Sequence, residues 1–218
     1  SRAAACLVAA LIVALLFGPR YLSANALDKA TALFIYIILA STWNALAGYG
    51  GLVSIGQQTF IGLGGYAVLR LAEAGLDPFV AVFVGAALVS VAALALSSFM
   101  LKLRGGEFAI GMWVLAGLAH LVVNPDPLVH GETGASLIAL NAYGAETRRQ
   151  LTYYAALGGL ILVLGFMFAL LRSAFGASLQ AIRDNEGAAS SVGVRVASAK
   201  RVIFVAAAVG AALGGALW

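Results

Sequence analysis

Apolar residues run along this chain in long blocks, separated by short clusters of glycine, proline and charge. Seven blocks stand out, at 3–18, 27–47, 52–70, 79–101, 107–123, 151–171 and 202–218. A helix needs about 20 mostly apolar residues to cross a bilayer. The blocks at 79–101 and 151–171 meet that outright, whereas 3–18 is slightly short and stops at Gly18-Pro19. Each block is apolar all round, so no single amphipathic stripe is expected. Backbone groups in lipid must bond within their own segment, which selects helices, and the alternation of a membrane β-barrel is missing. The predicted fold is an all-α polytopic membrane protein of about seven membrane segments. Block 52–70 is the irregular one. It holds Gly56, Gly62, Gly64 and Gly65, with Gln57-Gln58 inside, and is expected to be either a closely packed helix or a broken, re-entrant one. The chain starts at Ser1 and stops at Trp218 while still apolar, so further spans are expected after it, and 1–218 reads as one C-terminally truncated transmembrane domain.

Composition excludes several classes. The chain is 62% hydrophobic and only 10% charged, against about 25% charged in soluble domains, too few to keep a globular surface dispersed. Disorder needs the opposite balance. One cysteine, Cys6, rules out an intrachain disulfide. His120 and His130 lie ten residues apart with no HExxH or CxxC spacing, so neither a metal site nor a cofactor is expected. The net charge of +4 fits basic loops on one side of a membrane and not nucleic-acid binding. With 172–201 placed in the cytoplasm, that side also receives Arg2, Lys102 and Arg104, or eight of the thirteen basic residues. Arg20, Lys29, Arg70, Arg148 and Arg149 fall outside, as does the loop 124–150 with Asp126, Glu132 and Glu146.

Two segments carry the candidate chemistry. In 48–67, glycines crowd around Ser54, Gln57, Gln58 and Thr59, which sit together at membrane depth. Polar groups there need partners on neighbouring helices or in a wet cavity. Broken, glycine-rich helices are also where transporters expose backbone to a solute. Pathway lining and close helix packing use the same residues, and both readings stand. Gly62-x-Gly64-x-x-Ala67 follows no strand and is not a dinucleotide fingerprint. The second segment, 172–201, is the longest polar stretch. Gly176 is expected to break the incoming helix, Ser178 to cap a short new one, and Gly193 to stop it, with Leu179, Ile182 and Ala189 on one stripe. That helix would present Arg183, Asp184, Asn185 and Glu186 to solvent or a partner.

The stretch from Ala181 to Leu217 resembles the coupling loop and following span of LivM-type permeases, the membrane subunits of ABC importers for branched-chain amino acids. Residues 48–67 resemble the same family's glycine-rich early segment, and 101–124 its middle loop and span. The three matches occur in family order. The resemblance implies a coupling loop at 176–193 that docks on an ATPase, with Arg183, Asp184, Asn185, Glu186 and Gly193 in it. It further implies ABC ATPase subunits, a homologous second permease subunit and a soluble substrate-binding protein as partners, in a bacterial cytoplasmic (inner) membrane. Transport would run inward by alternating access. The chain has no GxxxxGK[ST], because Lys29, Lys102 and Lys200 are not preceded by glycine, so ATP hydrolysis is expected on another chain and none here. Related permeases carry urea and short amides. For a leucine-sized zwitterion, Ser54, Gln57, Gln58 and Thr59 would supply the polar contacts.

Other residues read structurally. His120 is expected to be a neutral, hydrogen-bonded histidine near the outer interface, with a proton relay as the alternative. Glu107 is expected to favour a helix start, Trp43 and Tyr49 to anchor at the interface, and Gly210-x-x-x-Gly214 to pack helices. A self-sufficient channel or secondary transporter remains the rival class, although no Asp or Glu lies mid-span to couple an ion. A membrane enzyme would need a His/Glu/Ser constellation in a span, and none is apparent.

Overall fold

A computed structural model describes residues 2–129 and 137–218, with side chains described from residue 6 onward. The first elements are α1 (Arg2–Leu16), the single turn α2 (Gly18–Tyr21) and α3 (Ala24–Asn44), which widens into a π-helical turn at Ala45–Tyr49. Next come α4 (Gln58–Glu73), α5 (Pro78–Met100), α6 (Gly106–Val123) and a 3₁₀ turn at Ile138–Ala142. The chain continues through α7 (Ala145–Arg172), α8 (Ala174–Asp184), α9 (Glu186–Ser191) and α10 (Val196–Leu217).

Five helices are long and apolar enough to cross a membrane: α3 with its π turn, α5, α6, α7 and α10. The blocks at 3–18 and 52–70 form helices of 15 and 16 residues. At 1.5 Å per residue these are roughly 22–24 Å long, short of the ~30 Å core on their own. The expected seven segments therefore reduce to five full-length helices and two short ones among the described residues. Local chemistry sets several starts. Asp77 caps α5, accepting from the amides of Phe79 (2.9 Å) and Val80 (3.3 Å), with Pro78 at the first helical position. Glu107 lies in the first turn of α6 and accepts from the Arg104 amide at 3.5 Å, the helix-start role its position predicts.

Helix α10 is the hub, packed against α3, α4, α5 and α7. Its buried face is small: Ala207, Ala208, Ala211 and Ala212, with Ile203 and Phe204 below them. Small residues let backbones approach, and lipid supplies no hydrophobic drive between helices, so close packing must hold the bundle. A Cβ on Gly64 would collide with the Ala212 carbonyl, and one on Gly215 with the Ile61 carbonyl. Gly210 and Gly214 do the packing expected of their motif, meeting Thr42 and Leu39 of α3. Tyr153 of α7 is fully buried and donates to the Leu15 carbonyl at 2.7 Å, tying α1 to the bundle. By contrast α6 is only 11% buried over its apolar window, against 50% for α10. Its Trp113, Leu121 and Val122 face outward, a surface suited to lipid or another helix.

The bundle has two polar ends. One carries Arg70, Asp126, Asp77, Tyr143 and Arg149. Here Tyr66 and Arg70 of α4 both donate to Asp126, the Arg70 contact at 2.5 Å, and Tyr143 donates to Asp77. Arg149 spans Asp28 (3.0 Å) and Glu146 (3.2 Å). Glu132 and His130 of the same loop lie outside the described residues. The opposite, basic end holds α8 and α9.

Candidate functional site

The segment between α3 and α4 is unwound. Residues 51–57 form no helix, and burial alternates along them as in extended chain: Leu52 and Ser54 point in, Val53 and Ile55 out. This is the broken alternative of the two expected for block 52–70. Gly51 initiates it with φ +67°, a conformation costly for other residues. The π turn before it is an element that recurs at functional sites. Gly56 permits entry into the bundle, since a Cβ there would overlap the Met112 carbonyl of α6.

This unwound chain delivers the polar cluster to mid-bundle. Gln57 donates to the Ala207 carbonyl at 3.1 Å, and Ala207 lies halfway along the 22 residues of α10. Ser54, Gln57 and Thr59 are buried, at 3%, 8% and 3% exposure. Yet Ser54 Oγ, Gln57 Oε1 and Thr59 Oγ1 make no hydrogen bond within the protein. Each such buried orphan costs about 1–3 kcal/mol. Close packing explains one bond, Gln57 to Ala207, and leaves three costly atoms unexplained. Gln58 differs: it is exposed and lines a cleft of about 280 Å³ between α4 and α6. Gln58, Thr59, His120 and Asn124 contribute the polar lining, and Leu63, Ala116, Ala119, Val123 and Val129 the apolar wall. Sequence spacing pointed to His120 as an interfacial histidine, with a proton relay as the alternative. Its place on this wall follows from the packing of α6 on α4.

Trp43 has a contact that its place near a span end did not predict. Its indole Nε1 donates to the Ser54 carbonyl at 3.0 Å, so besides its exposed ring face it fixes the unwound chain. Tyr49 packs against the core.

At the basic end the expected single short helix is two. Ser173, not Ser178, caps α8, accepting from the Phe175 amide at 3.2 Å. Ser178 lies inside the helix and donates back to the Ala174 carbonyl. Gly176 does not break the incoming helix. It sits in the first turn of α8, where a Cβ would strike the Leu171 carbonyl. The break between α8 and α9 comes at Asn185, whose extended backbone ends one helix while its side chain caps the next through the Ala188 amide at 3.0 Å. Gly193, at φ +88°, follows α9 and stops it as expected. Leu179, Ile182 and Ala189 form the buried stripe. Of the candidate coupling residues, Arg183, Asp184, Asn185 and Gly193 are exposed, and Glu186 is half-buried against Lys200 at 2.6 Å. The Arg183 guanidinium turns back: Nη1 donates to the Gly48 carbonyl at 2.8 Å, and Nε and Nη2 to Asp184 at 3.0 and 2.9 Å. No residue spacing pointed to the contact between 183 and 48.

Taken together, a helical membrane bundle with a broken helix at mid-depth and a helix pair across one end defines a transport-type membrane protein. The family model described as "branched-chain amino acid transport system / permease component" matches residues 25–218, and the chain belongs to that family. It is 29% identical over 239 residues to the high-affinity branched-chain amino acid transport system permease protein LivM of Salmonella typhimurium, covering 96% of this chain and 56% of the relative. It is 27% identical over 242 residues to the protein of the same name from Escherichia coli, covering 97% and 56%. The chain thus spans about half the length of the curated relatives it matches. No solved structure matches it.

Proposed function

We propose that this chain is the membrane-spanning permease subunit of an ATP-binding cassette importer, carrying branched-chain amino acids inward by alternating access in a bacterial inner membrane. One observation carries the reading: Ser54, Gln57 and Thr59 hold unsatisfied polar atoms at mid-bundle, and Thr59 also lines a cleft whose surface is part polar and part apolar. A zwitterion with a branched alkyl side chain has both halves of that chemistry. Urea has only the polar half, so the apolar wall favours leucine over the amide alternative. Binding-energy logic places polar fixing groups few and apolar contacts many in small-molecule sites. A self-sufficient channel gains no support from the exposed helix pair, which is the feature an external motor needs.

Within a single permease domain over 1–218, residues 176–193 act as the coupling loop. Asp184, Asn185 and Gly193, with exposed Val192, form its docking face for the ATPase. ATP hydrolysis belongs to that separate subunit. The outward faces of α1 and α6 suit lipid and a homologous second permease subunit, and the end bearing Asp126 and Arg149 suits a soluble binding protein. The test is ATP-dependent uptake of labelled leucine into proteoliposomes holding the full-length chain, its ATPase and permease partners and the binding protein. Uptake that isoleucine and valine compete for, and urea does not, is expected. Competition by urea alone, or leucine flux through the purified chain without ATP, overturns the reading.

A further inference from the structure

The two candidate regions, the mid-bundle cluster and the helix pair at the basic end, are mechanically joined. The α8–α9 pair grips the bundle at two points. From the end of α8, Arg183 Nη1 holds the Gly48 carbonyl, in the π turn that leads directly into the unwound segment. From the start of α9, Glu186 holds Lys200 of α10 at 2.6 Å. Those two attachment points lead to the two sides of one contact. Nine residues beyond Gly48 is Gln57, and two turns along α10 from Lys200 is Ala207, whose carbonyl Gln57 holds. The Arg183 strut is braced on both sides. Asp184 fixes its other nitrogens, and Gly51 leaves room for its stem: a Cβ at Gly51 would lie 3.0 Å from Arg183 Cγ. A planar guanidinium with several donors is the side chain that can bridge a carboxylate and a carbonyl at once.

We propose that Arg183 is a positioning residue for transport, the strut through which movement of the α8–α9 pair is passed to the Gly48–Gln57 segment and so opens or closes the Gln57–Ala207 contact beside the cleft. Its Nη1 is bonded to the permease's own interior segment, while the side chain as a whole stays 44% exposed. Pulling the pair away from the bundle draws Gly48 one way through Arg183 and Lys200 another through Glu186. Residues 53–55 of the unwound chain make no backbone–backbone hydrogen bond, so between the turn bonds at its two ends the segment is restrained against that shear by the Trp43 indole on the Ser54 carbonyl.

This inference rests on the importer reading, and one experiment separates the two. The full-length chain is assembled with its ATPase, second permease subunit and binding protein in proteoliposomes, and leucine uptake is measured per ATP hydrolysed. Three variants are compared: Arg183→Ala, Arg183→Lys and Gly51→Ala, the last driving a methyl into the strut at a positive-φ position. In parallel, Gln58→Cys, in a protein without other reactive cysteines, reports the cleft lining through its reaction with a maleimide, with and without ATP. Arg183→Ala and Gly51→Ala are expected to keep hydrolysing ATP while uptake per ATP falls roughly tenfold, the factor one charge-assisted bond supplies. Labelling of the Gln58→Cys protein should depend on ATP, and lose that dependence when Arg183→Ala is added. Arg183→Lys, with one cation but no fork, should fall between. Wild-type uptake per ATP and ATP-dependent labelling in Arg183→Ala and Gly51→Ala would overturn the assignment. So would loss of the ATPase from the Arg183→Ala assembly, which would make Arg183 a docking residue. A wild-type assembly that takes up no leucine with ATP would instead bring down the importer reading itself.

Discussion

The two stretches on either side of Gln58 meet the same helix, α10, in opposite ways. C-terminal to it, α4 is a regular helix whose Gly64 and Gly65 lie against α10. Gly64 and Gly215 bring backbones so close that no Cβ fits, and beyond Thr59 the buried positions of α4 are Phe60, Gly64 and Val68, apolar or without a side chain. N-terminal to it, the chain is unwound and carries the polar Ser54 and Gln57, and among the described residues its one hydrogen bond to α10 is Gln57 to Ala207. The first contact is dry, continuous and specific to one geometry. The second is a lone hydrogen bond, and interhelical bonds in membranes contribute only about 0.6 kcal/mol on average. A bundle that must change shape needs both: a seam that holds, and a neighbouring contact weak enough to break.

Breaking the seam is expected to have the largest effect. Gly64→Leu has no escape route, because its side chain would meet backbone and not a flexible neighbour. Overpacking of this kind costs on the order of 3 kcal/mol. Thermal unfolding of the detergent-solubilised protein should show a large drop, or no folded protein at all. A wild-type melting curve would show that α4 and α10 can separate freely. The weaker contact is tested by Gln57→Leu combined with Gln58→Leu. This removes one bond but also one buried orphan, so stability should change by no more than about 1 kcal/mol. Transport, in contrast, should fall at least tenfold, by analogy with the loss of a charge-free hydrogen bond plus a polar group of the cleft lining. Wild-type uptake by this double variant would take both glutamines out of the pathway and return the segment to a packing role.

The smallest effect belongs to the outer clamp on α4. The Tyr66 hydroxyl, then the Leu128 amide, hold the Asp126 carboxyl below the ordinary carboxylate range, with Arg70 adding to the same side. An acid depressed in the folded state stabilises it above the acid's unfolded pKa, and that stability is lost as pH falls through the folded value. The clamp should therefore be intact at neutral pH and loosen only on acidification below about pH 4. Hydrogen exchange of the amides at 124–129 should quicken there, and Asp126→Asn should show the quickened rate at neutral pH. Exchange that ignores both changes would mean the clamp does not hold this end of α4.

Much of the bundle is legible along the chain because lipid imposes a simple rule. A spanning segment must be long, apolar and helical; α5 follows its block to within one residue at each end, and α7 and α10 end within one residue of theirs but start six residues earlier. The Gly210–Gly214 motif and Glu107 are equally local, so their roles read through. Caps were less legible. Ser173 and Ser178 both stand near the start of α8, and which one accepts a helix amide depends on where α7 ends, which tertiary packing settles. The polar cluster at 54–59 was visible as a group, but not its split into buried Ser54, Gln57 and Thr59 and exposed Gln58, with Gln58 and Thr59 lining the cleft. That split depends on the unwound backbone: extended chain alternates sides, and helix begins only at Gln58.

What the sequence by itself determined is the class: apolar blocks too many for water and too long for anything but helices, basic residues gathered at one end, and a polar, glycine-rich interruption at 48–67. Those are properties of composition and period, and they hold whichever way the helices pack. Only the tertiary structure decided which groups meet. Arg183 and Gly48 are 135 residues apart, Gln57 and Ala207 are 150 apart, and Tyr66 reaches Asp126 across another helix pair. No local pattern encodes such pairs, because they arise where small residues allow α4 and α10 to close up and carry their polar neighbours with them.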